Sequence, residues 1–367
     1  MTRSATLSLG SKIKAIRKHK NLTQQNLADG LGCGVGTINR IENNHIEHNS
    51  QRLGLLKKLL DVEGAPLLES ELAIYKERLQ IWRNLIKDRR LEEARKMCAE
   101  LAVIVKLPFE QDLNMLYNMF EVKLLLSEGD VGLAVERLDI PKESLSLVSD
   151  SGLYHYYYNK GSLCLHNRKY KEALTFYLKA DALCTEGFER EVSLDYNIAG
   201  CYSELGMPYN AIMILERIYS QLNSREINTL YLFTISSLAS NYINIKKTKE
   251  ARTLLDKYLF NSQSIGNPLH IGIALHNFGC LDLWNDKPKT ALGYFNRAFE
   301  YFNDKNWFYL ENAYCKIRCL IELGELKQSE ILLAESMSFV SSDNYYVILF
   351  ESLHHIVNIK TKIPVDT

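Results

Sequence analysis

Cysteine and histidine are the side chains of this chain best suited to metal binding or nucleophilic chemistry, and their linear spacing assembles no such site. The eight cysteines, Cys33, Cys98, Cys164, Cys184, Cys201, Cys280, Cys315 and Cys319, include no Cys-x-x-Cys pair. Cys315 and Cys319 can face one way at i, i+4, but no nearby histidine or second pair completes a metal set. Reduced, buried, small apolar residues are the expectation for all eight. His354 and His355 are adjacent, which on a helix points them about 100° apart. No nucleophile–base pair or Gly-rich phosphate loop is present, and the acidic residues are spread along solvated faces. The expectation is a protein that is not an enzyme and carries no metal or cofactor.

Hydrogen-bonding chemistry is the better prospect. Short segments of the form x-x-x-(Ala/Ser)-x-x-x-(Leu/Phe) recur with the small residue at Ala94, Ala134, Ala173, Ala211, Ala251, Ala291 and Ser329. The steps between them are 40, 39, 38, 40, 40 and 38. Five residues before each stands Gly129, Gly206 or Gly324, or an Arg, Lys or Asp. Fourteen residues before lie Asn159, Asn197, Ser237 and Asn277. A side-chain amide both donates and accepts, so amides at repeating intervals suit an extended peptide backbone. The alternative is that they are simply the polar surface of a repeat.

Helix–helix units with a small residue at the crossing and a period of about 34–40 residues are the pattern of tetratricopeptide-type repeats. The clearest unit, 156–182, combines Asn159-x-Gly161 with Tyr170, Ala173, Phe176 and Ala180. The resemblance implies a superhelix whose concave surface is lined by the first helix of each unit. The asparagine position and the one before it, Tyr158, Tyr196, Ser236 and His276, would face that groove, with Ser162 and Ser240 one turn further on. Near the C-terminus, 345–359 is more apolar than a solvent-facing cap needs, which fits either closure of the stack or a dimer interface.

Ahead of the repeats, 23–42 reads as two short helices joined by a tight turn. Thr23 is an N-cap residue, Leu27, Ala28 and Leu31 recur at helical spacing, and Gly32 marks a stop. A second helix from about Gly34 to Glu42 turns Ile38 and Ile41 inward. An amphipathic helix with Ile13 and Ile16 precedes the pair, and a helix over 51–62 with Leu53, Leu56, Leu59 and Leu60 inward follows it. This is the helix-turn-helix arrangement, in which the second helix enters the DNA major groove.

Together 8–63 resemble the lambda-repressor-like (XRE) DNA-binding domain, through Ile-x-x-Ile-Arg, Leu-Thr-Gln-x-x-Leu-Ala, Gly, and Ile-x-x-Ile-Glu-Asn. The resemblance implies that Gln24 contacts the DNA backbone and that Val35, Gly36, Thr37 and Arg40 face base edges, with Asn39 close by. Arg40 would donate two hydrogen bonds to guanine, worth about 1–3 kcal/mol of discrimination. Asn43 resembles a phosphate clamp, and Arg17 with Glu42 matches a structural ion pair. Gly34 and Gly36 depart from the family pattern. Each is expected to cost roughly 1 kcal/mol of helix propensity, so the first turn is expected to order only on DNA.

Composition agrees with this division. Residues 1–65 hold 10 Lys or Arg against 5 Asp or Glu, a net of +5, within a neutral total of 44 against 44. The remainder therefore holds 34 against 39, a net of −5. A basic small domain on an acidic larger one fits DNA binding by the first and another task for the second. No apolar run approaches the roughly 18 residues of a membrane span, and the N-terminal stretch does not read as a signal peptide. A cytoplasmic location with no membrane contact is expected.

The whole chain resembles the RRNPP group of bacterial and phage quorum-sensing regulators. That implies an all-α chain with three parts: an XRE-type domain over 1–65, a linker helix over 66–82 carrying Leu68, Leu72, Tyr75, Leu79 and Trp82, and a right-handed superhelix of repeats over 83–367. It also implies a homodimer that reads double-stranded DNA at two half-sites and is switched by a short signalling peptide. The peptide would lie against Tyr158, Asn159, Ser162, Tyr196, Asn197, Ser237, His276 and Asn277. The alternative is a repressor or protein-interaction regulator whose repeats serve for oligomerisation or bind a partner protein, without a peptide.

Overall fold

The computed structural model describes residues 8–45, 50–62, 68–102, 111–141, 145, 148–184, 191–222, 228–302, 307–340 and 345–362. Among the described residues there are helices and turns and no strand. The chain divides into two compact units, Met1–Arg190 and Glu191–Thr367.

In the first unit, α1 (Leu9–His19) is capped by the Ser8 hydroxyl, and α2 (Gln24–Leu31) by a reciprocal box. Thr23 Oγ1 accepts from the Asn26 amide at 3.1 Å, while Asn26 Oδ1 accepts from the Thr23 amide at 2.8 Å. Two orphan donors are thereby satisfied. Gly32 ends α2 with φ +63°, a left-handed C-cap that glycine adopts without a Cβ penalty.

The helix α3 (Val35–Glu42) begins one residue later than its sequence suggests. Gly34 is its N-cap, in extended conformation at φ −79° and ψ 152°. Glycine is well tolerated at an N-cap, so only Gly36 carries a helix-interior cost, and the first turn is helical from Val35. The helix α4 (Ser50–Leu59) closes the domain over Ile13, Ile16, Leu27, Ala28, Ile38, Ile41, Leu53, Leu56 and Leu60. Leu59, expected inward, instead lies at the edge, 37% exposed. It is draped over Gly30, where an added Cβ would stand 2.5 Å from Leu59 Cδ2.

The helix α5 (Glu69–Lys87) runs past Trp82, because Ile86 extends the stripe of Leu72, Leu79 and Trp82. That stripe packs on α6 (Leu91–Leu101) and α7 (Gln111–Glu128), so α5 is the first member of the first helical pair. Leu68 packs on the N-terminal core, and Lys57 of α4 pairs with Glu71 of α5. The unit continues with α8 (Val131–Leu138), α9 (Asp150–His166) and α10 (Tyr170–Asp181).

The second unit holds α11 (Val192–Glu204), α12 (Pro208–Gln221), α13 (Thr229–Asn244), α14 (Thr248–Ser264) and α15 (Pro268–Trp284). After them come α16 (Pro288–Phe299), α17 (Trp307–Glu322), α18 (Leu326–Met337) and α19 (Tyr345–Lys362). Tyr346, Phe350, Leu353 and Val357 of α19 join the core, so one stripe of this helix closes the stack. Its Ile348 and Ile359 remain exposed.

Every pair obeys one local grammar. The seven small residues are each the fourth residue of a second helix, and each is 0% exposed. Helix axes cross closely there because nothing larger intervenes. The position five before them has positive φ in all seven units: Arg89, Gly129, Arg168, Gly206, Lys246, Asp286 and Gly324. The turn geometry is thus kept even where the residue type resists it.

A second rule governs how the two helices of a pair meet. Gly161 and Gly279 of the first helices leave room for Tyr177 and Phe295 of the second, and a Cβ would come within 2.6 Å and 2.5 Å of those rings. In the equivalent places the pairs are Ala199 with Leu215, Ala239 with Leu255, Val122 with Leu138, Ile317 with Leu333, and Trp82 with Cys98. Glycine faces an aromatic ring, Ala, Val and Ile all face Leu, and Trp82 faces Cys98, so size is complemented at the two extremes of the series.

Candidate nucleic-acid interface and repeat-helix side chains

The outward side of α3 carries Asn39 and Arg40, both exposed, with Gly36 exposed and Thr37 half-buried. The Arg40 side chain is exposed, with no hydrogen bond or ion pair to another described residue, so its guanidinium is available to a ligand. Asn43, exposed at the C-cap, donates through its amide to the Asn39 carbonyl at 2.9 Å and to Asn39 Oδ1. Val35 is half-buried and leans on the domain core, so less of it is offered outward than of its neighbours.

The position of α3 is fixed from behind by a buried charged contact. Arg17 Nε donates to Glu42 Oε1 at 2.6 Å, and Nη2 to Oε2 at 3.1 Å. A third Arg17 nitrogen donates to the Leu22 carbonyl at 2.8 Å. Burial pushes the Glu42 carboxyl up, but the hydrogen bonds from Arg17 and Gln24 and the Arg17 charge outweigh it and hold the carboxyl below the usual carboxylate range. Gln24 is part of this contact: its Nε2 donates to Glu42 Oε2 at 2.9 Å. The structure therefore gives Gln24 an intramolecular partner that its sequence position did not reveal. Gly10 completes the seat, its Cα lying so close to the end of α3 that a Cβ would be 2.3 Å from the Ile41 carbonyl oxygen.

On the repeat helices, the recurring polar residues tie successive first helices together. In the first unit Asn159 is buried and donates to the Met119 carbonyl at 2.7 Å. Ser162 donates to the Tyr158 carbonyl at 3.1 Å and shares a hydrogen bond with the Tyr177 hydroxyl. Tyr158, 7% exposed, lies against Tyr154 and Tyr177. In the second unit Asn277 donates to Ser236 Oγ at 2.9 Å, and Tyr196 and Ser237 share a 2.9 Å hydrogen bond. Asn197 is half-buried on α11. The bonded residues of this ladder are about one repeat apart. An amide has two N–H donors and a carbonyl, so one ladder bond leaves capacity for a ligand.

Further along, a histidine does stand beside Cys315. His276 and Cys280 lie one turn apart on α15, and Cys315 comes from α17. One ring nitrogen of His276 and the two Sγ atoms all lie within 4.8 Å of one another. The Cys280 thiol and His276 Nε2 are 3.3 Å apart, and His276 Nδ1 is 3.0 Å from Asn312 Oδ1. Its hydrogen bond with Cys280, with burial, pushes the Cys315 thiol up. Spatially, the thiol nearest this histidine and Cys315 is Cys280 of the neighbouring helix, not Cys319.

Comparison with known proteins agrees with both halves. Residues 13–67 match the helix-turn-helix family model. The transcriptional activator NprA of Geobacillus stearothermophilus is 25% identical over 290 residues, spanning 75% of this chain and 68% of that protein. Among solved structures, NprR in complex with its cognate peptide NprX superposes with a TM-score of 0.68 at 20% identity, over 80% of this chain and 85% of that one. A Rap protein complexed with competence and sporulation factor gives 0.70 at 16% identity, over 79% and 84%. The chain thus carries a helix-turn-helix match at its N-terminal end and shares the fold of these solved structures.

Its similarity to NprA is to a transcriptional activator, and residues 13–67 carry the helix-turn-helix match. None of its helices among the described residues is long and apolar enough to cross a membrane. Two features escaped the sequence reading. The ladder partner Met119, the Asn241 Nδ2 donation to Ser203 Oγ at 2.8 Å, and the His276–Cys280–Cys315 group join residues on different helices, and only the repeat period hints at which helices are neighbours.

Proposed function

We propose that this protein is a peptide-responsive, dimeric transcription regulator. Residues 1–65 bind DNA, 66–82 couple the parts, and 83–367 bind a short linear peptide and dimerise. Arg40, Asn39 and Thr37 read base edges, with Gly36 allowing close approach and Val35 adding apolar contact. Asn43 and Gln24 address the phosphate backbone. Asn159, Asn197 and Asn277 grip a peptide backbone, Ser162 and Ser237 add polar contacts, and Tyr158, Tyr196 and His276 shape side-chain pockets. A dimer reads half-sites about 34–36 Å apart or a multiple, so flexing of the repeats brings two domains into or out of register. NprA is named an activator and NprR was solved with a peptide, which supports the reading.

The observation that carries the proposal is the exposed Asn39–Arg40 face on a helix locked from behind by Arg17 and Glu42. Titration of full-length protein against duplex DNA from upstream of its own gene tests it. Arg40→Ala is expected to weaken specific binding roughly 5- to 150-fold, the equivalent of about 1–3 kcal/mol. Equal affinity of wild type and variant, or no specific binding by either, would sink the assignment.

A second reading is favoured by the ladder itself. Asn159 and Asn277 already bond neighbouring helices, so the asparagines can serve the stack alone, with the repeats used for oligomerisation or a protein partner. Under that reading, alanine at Asn197 leaves any response to peptide unchanged.

A further inference from the structure

Cys315 breaks the pattern of its repeat. It stands fourteen residues before Ser329, the place held in four units by Asn159, Asn197, Ser237 and Asn277 and in the first two by Gln80 and Phe120. Cys280 stands eleven before Ala291, where three other units have Ser162, Gly200 and Ser240 and three have Arg83, Lys123 and Arg318. Two thiols therefore stand at adjoining positions of consecutive first helices, and His276 lies one turn from Cys280. All three belong to the second unit.

The histidine is held in the tautomer a metal needs. Asn312 is fully buried, and its Nδ2 donates to the Phe295 carbonyl at 3.0 Å. That carbonyl only accepts, so the Asn312 amide is oriented with Oδ1 toward His276 Nδ1, 3.0 Å away. Oδ1 also only accepts, so Nδ1 carries the ring proton. The lone pair of the neutral ring is then on Nε2, which faces Cys280 Sγ at 3.3 Å. A second ring nitrogen anchored to a carbonyl oxygen is the usual support of a metal-ligating histidine.

The spacing also suits one ion. Zinc bonds of about 2.0–2.1 Å to nitrogen and about 2.3 Å to sulfur give tetrahedral N···S edges of about 3.6 Å. The 3.3 Å contact and the 4.8 Å upper bound on the group lie around that value and need only rotamer adjustments. Two thiols and an imidazole prefer zinc to magnesium or calcium, which take oxygen ligands. His276 and Cys280 are half-buried while Cys315 is 7% exposed, so an ion can enter past the first two.

We propose that His276, Cys280 and Cys315 bind one zinc ion, with water in the fourth tetrahedral position and Asn312 as the positioning residue behind His276. Binding releases two thiol protons to solvent, one from each cysteine, and leaves the imidazole neutral. The site pins α15 to α17 and does not depend on a peptide or on DNA.

The test is a titration of reduced, metal-stripped, peptide-free full-length protein with cobalt(II), followed by zinc. One cobalt ion per chain is expected, with thiolate-to-cobalt charge-transfer and tetrahedral d–d absorption, both lost as zinc displaces it. Cys280→Ser and Cys315→Ser should each remove most of the charge-transfer band. Asn312→Ala should weaken binding about 10- to 100-fold, and Cys319→Ala should leave it unchanged. Circular dichroism checks that each variant is folded, and Cys280→Ser, at a half-buried position, keeps the test open if Cys315→Ser unfolds. Absence of a stoichiometric cobalt spectrum, or a Cys280→Ser titration matching wild type, would overturn the proposal. Neither result bears on α3 and DNA.

Discussion

Arg17 of α1 and Glu42 of α3 meet in a two-pronged buried contact, Nε to Oε1 at 2.6 Å and Nη2 to Oε2 at 3.1 Å. It sets the angle at which α3 leaves the domain, with Glu42 the last residue of the helix and Arg40 only two before it. Breaking a buried pair by removing one partner costs about 3–5 kcal/mol, so Glu42→Gln should loosen α1–α3 and weaken DNA binding together. Amide hydrogen exchange of peptides spanning 9–42 reads this directly. Unchanged protection would remove the pair from the set of contacts that hold α3.

The same pair makes the domain acid-sensitive. The Glu42 carboxyl is held below its ordinary value in the folded state, so the stability it contributes is present above the unfolded value of about 4.3. It is lost as pH falls through the lower, folded value. Exchange protection of 9–42 should therefore decline below about pH 4.3 more steeply in the wild type than in Glu42→Gln. Parallel pH profiles for the two proteins would contradict this.

Gly279 and Phe295 offer a clean test of the size rule. Gly279→Ala puts a Cβ 2.5 Å from Phe295 Cε1, and overpacking of this kind costs about 1–3 kcal/mol. In a Phe295→Leu background the new methyl meets a smaller neighbour, as Ala199 meets Leu215 and Ala239 meets Leu255. The cost of the alanine should then fall by at least about 0.5 kcal/mol. Denaturant unfolding of the four proteins measures it, and an alanine penalty equal in both backgrounds would refute the rule.

The left-handed turn positions predict opposite signs for opposite changes. Lys246 is exposed at φ +61°, and Gly206 fills the equivalent place at φ +71°. Lys246→Gly relieves an L-residue in the left-handed region and should stabilise by about 0.5–1 kcal/mol. Gly206→Ala should destabilise by about 1–2 kcal/mol. Midpoints of thermal unfolding moving in the same direction for both would show that the turn backbone is not what matters.

Much of this was legible in the chain because helical spacing and turn residues act locally. Thr23 and Asn26 announce α2, Gly32 ends it, and the seven small residues mark each second helix. The boundaries that slipped did so for local reasons too: Gly34 works as a cap, and Ile86 prolongs α5. What the chain withholds is pairing between helices. Asn159 and Asn277 read as free amides until Met119 and Ser236 are placed beside them, and Cys315 looks solitary until α15 brings His276 and Cys280. Such contacts join residues 35–41 apart, a separation at which sequence periodicity gives the neighbour but not the bond.

Peptide-switched DNA binding is tested most directly by fluorescence anisotropy of duplex DNA from upstream of the gene. Full-length protein is titrated at near-physiological salt, with and without the small-peptide fraction of spent culture medium. A switch mediated by the repeat helices predicts specific binding whose midpoint moves when the fraction is present, and an Asn197→Ala variant that binds DNA as the wild type does but no longer responds. Specific binding with the same midpoint in the presence and absence of peptide would contradict the switch and leave the repeats as a scaffold for oligomerisation or a protein partner.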